Sequence, residues 1–575
     1  VGGPGQGKST LGQYLAQVHR AALLGPHRQE ISADHGKALD ALAPDASNGV
    51  LTVPARPLFP VRVELRELAA WLADRDVAVT DLTDYLAHDI QRLVGRPMAA
   101  GDLRVAFDRV ALLLVLDGLD EVAPAGGRDG MMRVLDGFLR TREGRRDLVV
   151  ASTRPQGYEG EFRRFCVWHL APLSKTSALR YAKMLVESWL PGRVRDQRHT
   201  LDRLNQSAEE ETTARLLRSP LQVTILTLLV GDGGTPRSRW ELFQRYYETI
   251  CAREQGRDTY ASDLLRQHRA VVDSVHDHVG LTLQAEGESS AQSGSLLTRA
   301  RLEEVIVYQL RERGYGEAKA RSLTQEILQA TAQRLVLLAE LRPGQYGFDV
   351  RSLQEFMAAR QLTSGDTGVV FERLRAIGRS AFWRNVLRFS VGSFFAGNTP
   401  SSLRQRMSVL LCTQIAADHS DEHALGGSPG AELAIDLLDD GAVRTDLHCV
   451  RGLVALVLPL LSASWSHDLA ARLGRVLGSL WSALEDSDIE SLRGAVREAL
   501  DAAVASDPWT NVWRCAAVLA EERSTEIRPV LDAAWSRLPA AIRARMLPTW
   551  LTFSNEAGRS WAFDRFELEI EDYPI

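Results

Sequence analysis

The chain has 575 residues, 45% of them hydrophobic and 25% charged, the profile of a globular protein with ordinary cores and room for two to four domains. Its net charge of −6 and pI near 6.2 argue against a general nucleic-acid or anionic-membrane binder, so neither partner is expected. No apolar run reaches the roughly 18 residues of a membrane span, and five cysteines without CxxC spacing predict reduced thiols in a cytoplasmic setting rather than disulfides or a zinc site.

The first predicted element is a loop. Gly2-Gly3-Pro4-Gly5-Gln6-Gly7-Lys8-Ser9-Thr10 fits the phosphate-binding pattern G-x-x-x-x-G-K-[ST]. Glycines let the backbone turn its N–H groups inward around phosphates, in conformations other residues avoid. Lys8 brings a compact charge to the β- and γ-oxygens, and Ser9 offers a hydroxyl to Mg²⁺. Leu11, Tyr14, Leu15 and Val18 then recur at helical spacing, so a helix N-terminus adds partial positive charge. The bland alternative is a glycine-rich turn before a helix. Only Val1 precedes Gly2, and such a loop normally follows a buried strand, so a strand is expected upstream and the chain reads as a fragment. Alternating apolar and acidic residues over 566–571 predict another strand whose partner lies elsewhere.

Residues 61–66 alternate and predict an outer strand. Residues 111–116 are an unbroken apolar run that ends in Asp117-Gly118-Leu119-Asp120-Glu121. Such a run is a buried parallel strand with a carboxylate at its C-terminal edge, where open α/β sheets bind ligands. Asp117 is then the magnesium-side carboxylate, acting through water, and Asp120 and Glu121 are candidates to orient or deprotonate an attacking water. The competing reading is a core strand followed by a solvated acidic turn. Residues 148–153 predict a further strand ending at Arg154, which either senses a γ-phosphate or pairs with a nearby acid. Helix-like segments separate these strands, so the predicted fold is an α/β core with a doubly wound parallel sheet.

These residues carry a resemblance. Asp117-Gly118-Leu119-Asp120-Glu121 resembles the extended acidic motif of the NACHT family of signal-transducing (STAND) P-loop ATPases, related to animal NOD-like receptors. The strand Val61 to Leu65, followed by Arg66-Glu67-Leu68, is similar to the family's second core strand, and Ser152-Thr153-Arg154-Pro155 to its first sensor, which implies Arg154 near the γ-phosphate. Leu217-Arg218-Ser219-Pro220-Leu221 is similar to the helical-domain segment whose proline packs near the adenine, and Arg239-Trp240-Glu241-Leu242-Phe243 to the helix after it. Tyr346-Gly347-Phe348 and Ser352-Leu353-Gln354-Glu355-Phe356-Met357-Ala358-Ala359 resemble the end of the family's winged helix. One departure is Val350, where the family often has a histidine on the β-phosphate, so no winged-helix nucleotide contact is carried over.

The resemblance implies an NTPase core over 1–171, a helical domain over 172–255 and a winged-helix-like domain over 256–365. Residues 366–575 read as an α-helical, sensor-like region whose tryptophans, Trp465, Trp481, Trp509, Trp513, Trp535, Trp550 and Trp561, are expected in its core. It also implies a switch that exchanges ADP for ATP with Mg²⁺, hydrolyses slowly, and self-associates when an unknown ligand engages the C-terminal region. The oligomer would then activate an N-terminal effector in bacterial immunity or stress signalling. Two other classes compete: a work-performing ATPase such as a remodeller, and an ATP-responsive DNA-binding regulator that uses the winged helix.

Overall fold

A computed structural model describes residues 1–2, 5–42, 54, 56–73, 80–122, 128–154, 161–162, 165–209, 211–230, 236–256, 260–289, 296–333, 335–396, 402–418, 429–462, 467–481, 484–505, 512–522, 524–543 and 545–546. Gly3, Pro4, the side chain of Glu121, Pro155, Trp465, Trp509, Trp550, Trp561 and the alternating segment 566–571 lie outside the described residues.

The apolar run ending at Asp117 forms β2 (Leu112–Asp117), and all six of its residues are buried. It pairs in parallel with β1 (Phe59–Glu64), Phe59 opposite Leu112 and Glu64 opposite Asp117. On its other side it pairs in parallel with β3 (Leu148–Ala151), Leu113 opposite Leu148. The sheet order is β1-β2-β3, so β1 takes the outer place that its alternation predicts.

A strand apolar on both faces needs cover on both. Leu112, Leu114 and Leu116 join one cluster with Val61, Val63, Leu68, Leu86, Met131 and Leu135. Those residues come from β1 and from the helices Leu65–Leu72, Leu82–Val94 and Arg128–Thr141. Val115 points to the opposite face, toward the helix Lys8–Leu24. There Gly12 allows the approach, since a Cβ at that position would lie 2.8 Å from Val115 Cγ1. Strand boundaries differ slightly from the periodicity. β1 stops at Glu64 because Leu65 already begins the next helix, and β3 stops at Ala151, two residues short of Thr153.

The described residues cluster into two compact units. The first comprises Val1–Pro236, Leu242–Gln361 and Ala381–Asn385, and the second Arg237–Glu241, Leu362–Ser380 and Val386–Ile575. Besides the parallel sheet, the first unit holds an antiparallel sheet in the order β4-β6-β5: β4 (Leu297–Thr298), β5 (Leu338–Arg342) and β6 (Gln345–Phe348). The helices Tyr260–Ser289, Arg299–Glu312 and Glu317–Gln333 precede the β5–β6 hairpin, which turns at Gly344 with φ +72°. This element order stands where the sequence predicts a winged helix. The helix Arg351–Leu362 follows the hairpin directly.

In the second unit every described element from Thr367 onward is helical. Neighbours pack in pairs, Ser402–Ala417 against Pro429–Asp440 and His467–Leu480 against Val512–Glu522. Trp481, Trp513 and Trp535 are buried, and the rings of the last two meet edge-on at 5.7 Å. Among the described residues, no helix is long and apolar enough to cross a membrane.

Candidate functional site

The glycine loop ends in two left-handed residues, Gly5 at φ +70° and Gly7 at φ +84°. Gly7 is the N-cap of the helix Lys8–Leu24 and carries no side-chain cap, so the first-turn N–H groups keep their partial positive charge at the surface. Ser9 and Thr10 are exposed in that first turn. The loop is pinned from three sides. Gly2 N donates to Thr153 O at 3.0 Å, Leu221 N donates to Gly5 O at 3.3 Å, and Lys8 Nζ donates to Gly2 O at 2.8 Å. Gln6 packs over Gly2, where an added Cβ would lie 3.0 Å from its Oε1.

Pro220 also reaches the loop. It opens the helix Pro220–Leu229 at the position where a missing N–H costs nothing, and the Ser219 side chain caps that helix. Its Cγ is 3.8 Å from where a Gly7 Cβ would stand.

Asp117 closes β2 beneath this loop and is 6% exposed. Ser9 Oγ donates to its Oδ1 at 3.1 Å, and Ser152 Oγ donates to the same atom at 2.5 Å. Arg62 of β1 donates through Nη2 to Oδ2 at 2.8 Å. The two groups expected on the magnesium side, Ser9 and Asp117, are therefore adjacent. Ser152 and Arg62 complete the shell and were not read from the sequence. Ser152 also accepts from Gly118 N at 3.0 Å, which fixes the turn after β2. Asp117 and Glu64 raise the Arg62 pKa, although burial works against its charge.

Gly118, at φ +83°, turns the chain into the single 3₁₀ turn Leu119–Glu121. That turn aims Asp120 back toward β3. Asp120 Oδ1 accepts from Arg154 N at 3.1 Å, and Oδ2 lies 3.0 Å from Arg154 Nε and 3.5 Å from Arg351 Nη1. Arg154 Nη1 donates in turn to Glu355 Oε1 at 2.7 Å. Arg351 Nε is 3.4 Å from the same oxygen, one helical turn away, and Asn385 Nδ2 donates to Glu355 Oε2. The Glu355 side chain is fully buried. Burial favours the neutral form of Asp120, but Arg154, Arg351, Lys8 and the Arg154 N–H together hold its carboxyl below the usual range.

Of the two alternatives for Arg154, pairing with an acid is what the structure holds, and it pairs with two. Arg351, Glu355 and Asn385 were not read as site residues. Of the three, Glu355 had a local signal, a carboxylate inside the largely apolar run Leu353 to Ala359, whose other polar member is Gln354.

This site thus gathers a helix N-terminus, an ammonium, two hydroxyls (Ser9 and Ser152), three carboxylates (Asp117, Asp120 and Glu355) and three arginines (Arg62, Arg154 and Arg351). The donors suit an anion with several phosphate oxygens: the left-handed glycines and the uncapped first turn present N–H groups, and Lys8 stands beside them. A divalent cation would find one hydroxyl and one carboxylate here. Among the described residues no group of three or more His, Cys, Asp or Glu is placed to hold a metal ion by itself; magnesium commonly completes its shell with phosphate oxygens and water. No protein-family model matches the chain, and no curated protein matches it.

Proposed function

We propose that this chain is a nucleoside-triphosphate-binding switch of the NACHT type, which exchanges ADP for ATP and hydrolyses slowly. The observation that carries the reading is the double tie on Arg154. Arg154, for which we propose a contact with a terminal phosphate, is held at once by Asp120, beside the loop, and by Glu355, on the helix Arg351–Leu362.

The geometry supports the following roles. Gly5, Gly7 and the first-turn N–H groups cradle the phosphates, and Lys8 leaves Gly2 O to neutralise them. Ser9 and Asp117 hold the metal side, Asp117 through water because its oxygens already accept three hydrogen bonds. Magnesium, when bound, supplies charge neutralisation of the β- and γ-phosphates. Pro220 and Leu221 flank the loop on the side proposed for the base. Asp120 is a poor proton acceptor, because a base works best with its pKa near the ambient pH and two guanidiniums keep this one low. Slow hydrolysis suits a switch and not a motor. A terminal phosphate competes with Glu355 for Arg154, so triphosphate and diphosphate differ in what they ask of the 351–362 helix, the differential affinity a switch requires. Release of that helix is then coupled to self-association of the chain.

Calorimetric titration tests this. Wild-type protein is expected to bind both Mg·ATP and ADP, and Lys8→Ala to lose about 100-fold in affinity, the scale of a charge-assisted contact. Undiminished affinity in Lys8→Ala would remove the site assignment. Rapid multiple turnover by an unchanging monomer would remove the switch.

A further inference from the structure

Arg62 is a cation to which the proposed function assigns no contact with nucleotide or metal. Val61 and Val63 face the cluster under the sheet, so the intervening Arg62 points to the face that carries the helix Lys8–Leu24. Its guanidinium ends on the Asp117 carboxylate, Nη2 to Oδ2 at 2.8 Å, and on Glu64, Nη1 to Oε1 at 3.2 Å. The other Asp117 oxygen accepts from Ser9, the hydroxyl proposed to face magnesium. A fixed monovalent cation and the proposed divalent site therefore share one carboxylate.

We propose that Arg62 is a positioning residue and resident counter-charge that sets the magnesium requirement of this site. It lets a nucleoside diphosphate bind without a divalent cation and raises the magnesium concentration needed for the triphosphate complex. This rests on the nucleotide-site reading above. The physics is competition: the guanidinium neutralises Asp117 in the metal's absence and repels a doubly charged ion placed on the Ser9 side. Arg62 is held by strand backbone, and its side chain is 28% exposed, so neither charge is fully screened. Glu64 meets the other terminal nitrogen of the guanidinium, so the group keeps one anchor when metal takes the Asp117 side.

The test is a magnesium titration of ATP binding, with ADP affinity measured separately in excess chelator, on wild-type, Arg62→Gln and Arg62→Lys protein. Gln keeps a donor toward Asp117 without the charge, and Lys keeps the charge without the planar fork. Arg62→Gln is expected to reach half-saturation at about tenfold lower magnesium and to lose about tenfold in metal-free ADP affinity. Arg62→Lys is expected to restore most of both. A shape-filling role alone would not move the magnesium midpoint. Midpoints and metal-free ADP affinities identical in all three proteins would overturn the inference and leave the nucleotide site standing. Absence of nucleotide binding by wild-type protein would overturn both.

Discussion

Both units bury arginine–carboxylate pairs, yet the pairs stand in different company. In the second unit Arg388 meets Asp440, with Nε donating to Oδ2 at 2.8 Å, and Arg472 donates to Asp436, whose side chain is 2% exposed. These pairs join helix to helix. Asp440, Asp436 and Asp439 raise the Arg388 pKa even though burial opposes its charge. In the first unit Arg62–Asp117 and Arg154–Asp120 lie at the C-terminal ends of parallel strands, beside a left-handed glycine loop and an uncapped helix N-terminus. A buried charge pair by itself is a structural device of modest net value. What distinguishes the strand edge is convergence: donors, acceptors and fixed positive charge that a phosphate and a metal would each need, in one place.

Mutations can sharpen or break this contrast. The largest expected effect is in the second unit. Arg388→Met strands the Asp440 carboxylate, which is expected to cost about 3–5 kcal/mol in denaturant unfolding of that unit. Nucleotide affinity is expected to stay within about twofold of wild type. Loss of nucleotide binding in that variant would erase the distinction between the two regions. Next is Glu355→Gln, which keeps the contact to Asn385 and removes one of the two charges on Arg154. The ratio of ATP to ADP affinity is expected to rise about tenfold, measured by competition with a fluorescent nucleotide. An unchanged ratio would show that Arg154 does not report the terminal phosphate.

The smallest expected effect is a pH profile that stays flat. Asp120 has its folded carboxyl held below its ordinary value of 3.8, so its contribution to stability is present above that value. The contribution is lost only as pH falls through the lower, folded value. Stability and ATP affinity are therefore expected to show no Asp120 titration between about pH 5 and 8. A midpoint near neutrality that disappears in Asp120→Asn would make this residue a working base and contradict slow hydrolysis.

Much of the first unit was legible because its signals are local. Left-handed glycines, an apolar run with a terminal acid and a helix start all act within a few residues, and they appear at Gly5 to Lys8 and at β2. Trp481, Trp513 and Trp535 were legible as core for the same reason. The partners of the acids were not. Arg62 lies 55 residues from Asp117, Ser152 lies 35 away, and Glu355 lies 201 residues from Arg154. Neither period nor composition encodes such pairings, since they depend on which strand ends and helix ends meet. Arg154 shows the limit most clearly. Its place after β3 announced a charge at the sheet edge, but not that it would be tied both to Asp120, 34 residues away, and to Glu355, 201 residues away.

The central claim is that the helix Arg351–Leu362 answers to what occupies the loop at Gly2 to Thr10. Amide hydrogen exchange along 351–362 measures that directly, in protein without nucleotide, with ADP and with Mg·ATP. Exchange about tenfold faster with Mg·ATP than with ADP, absent in Lys8→Ala, is the result the account requires. Equal protection in all three states would contradict it.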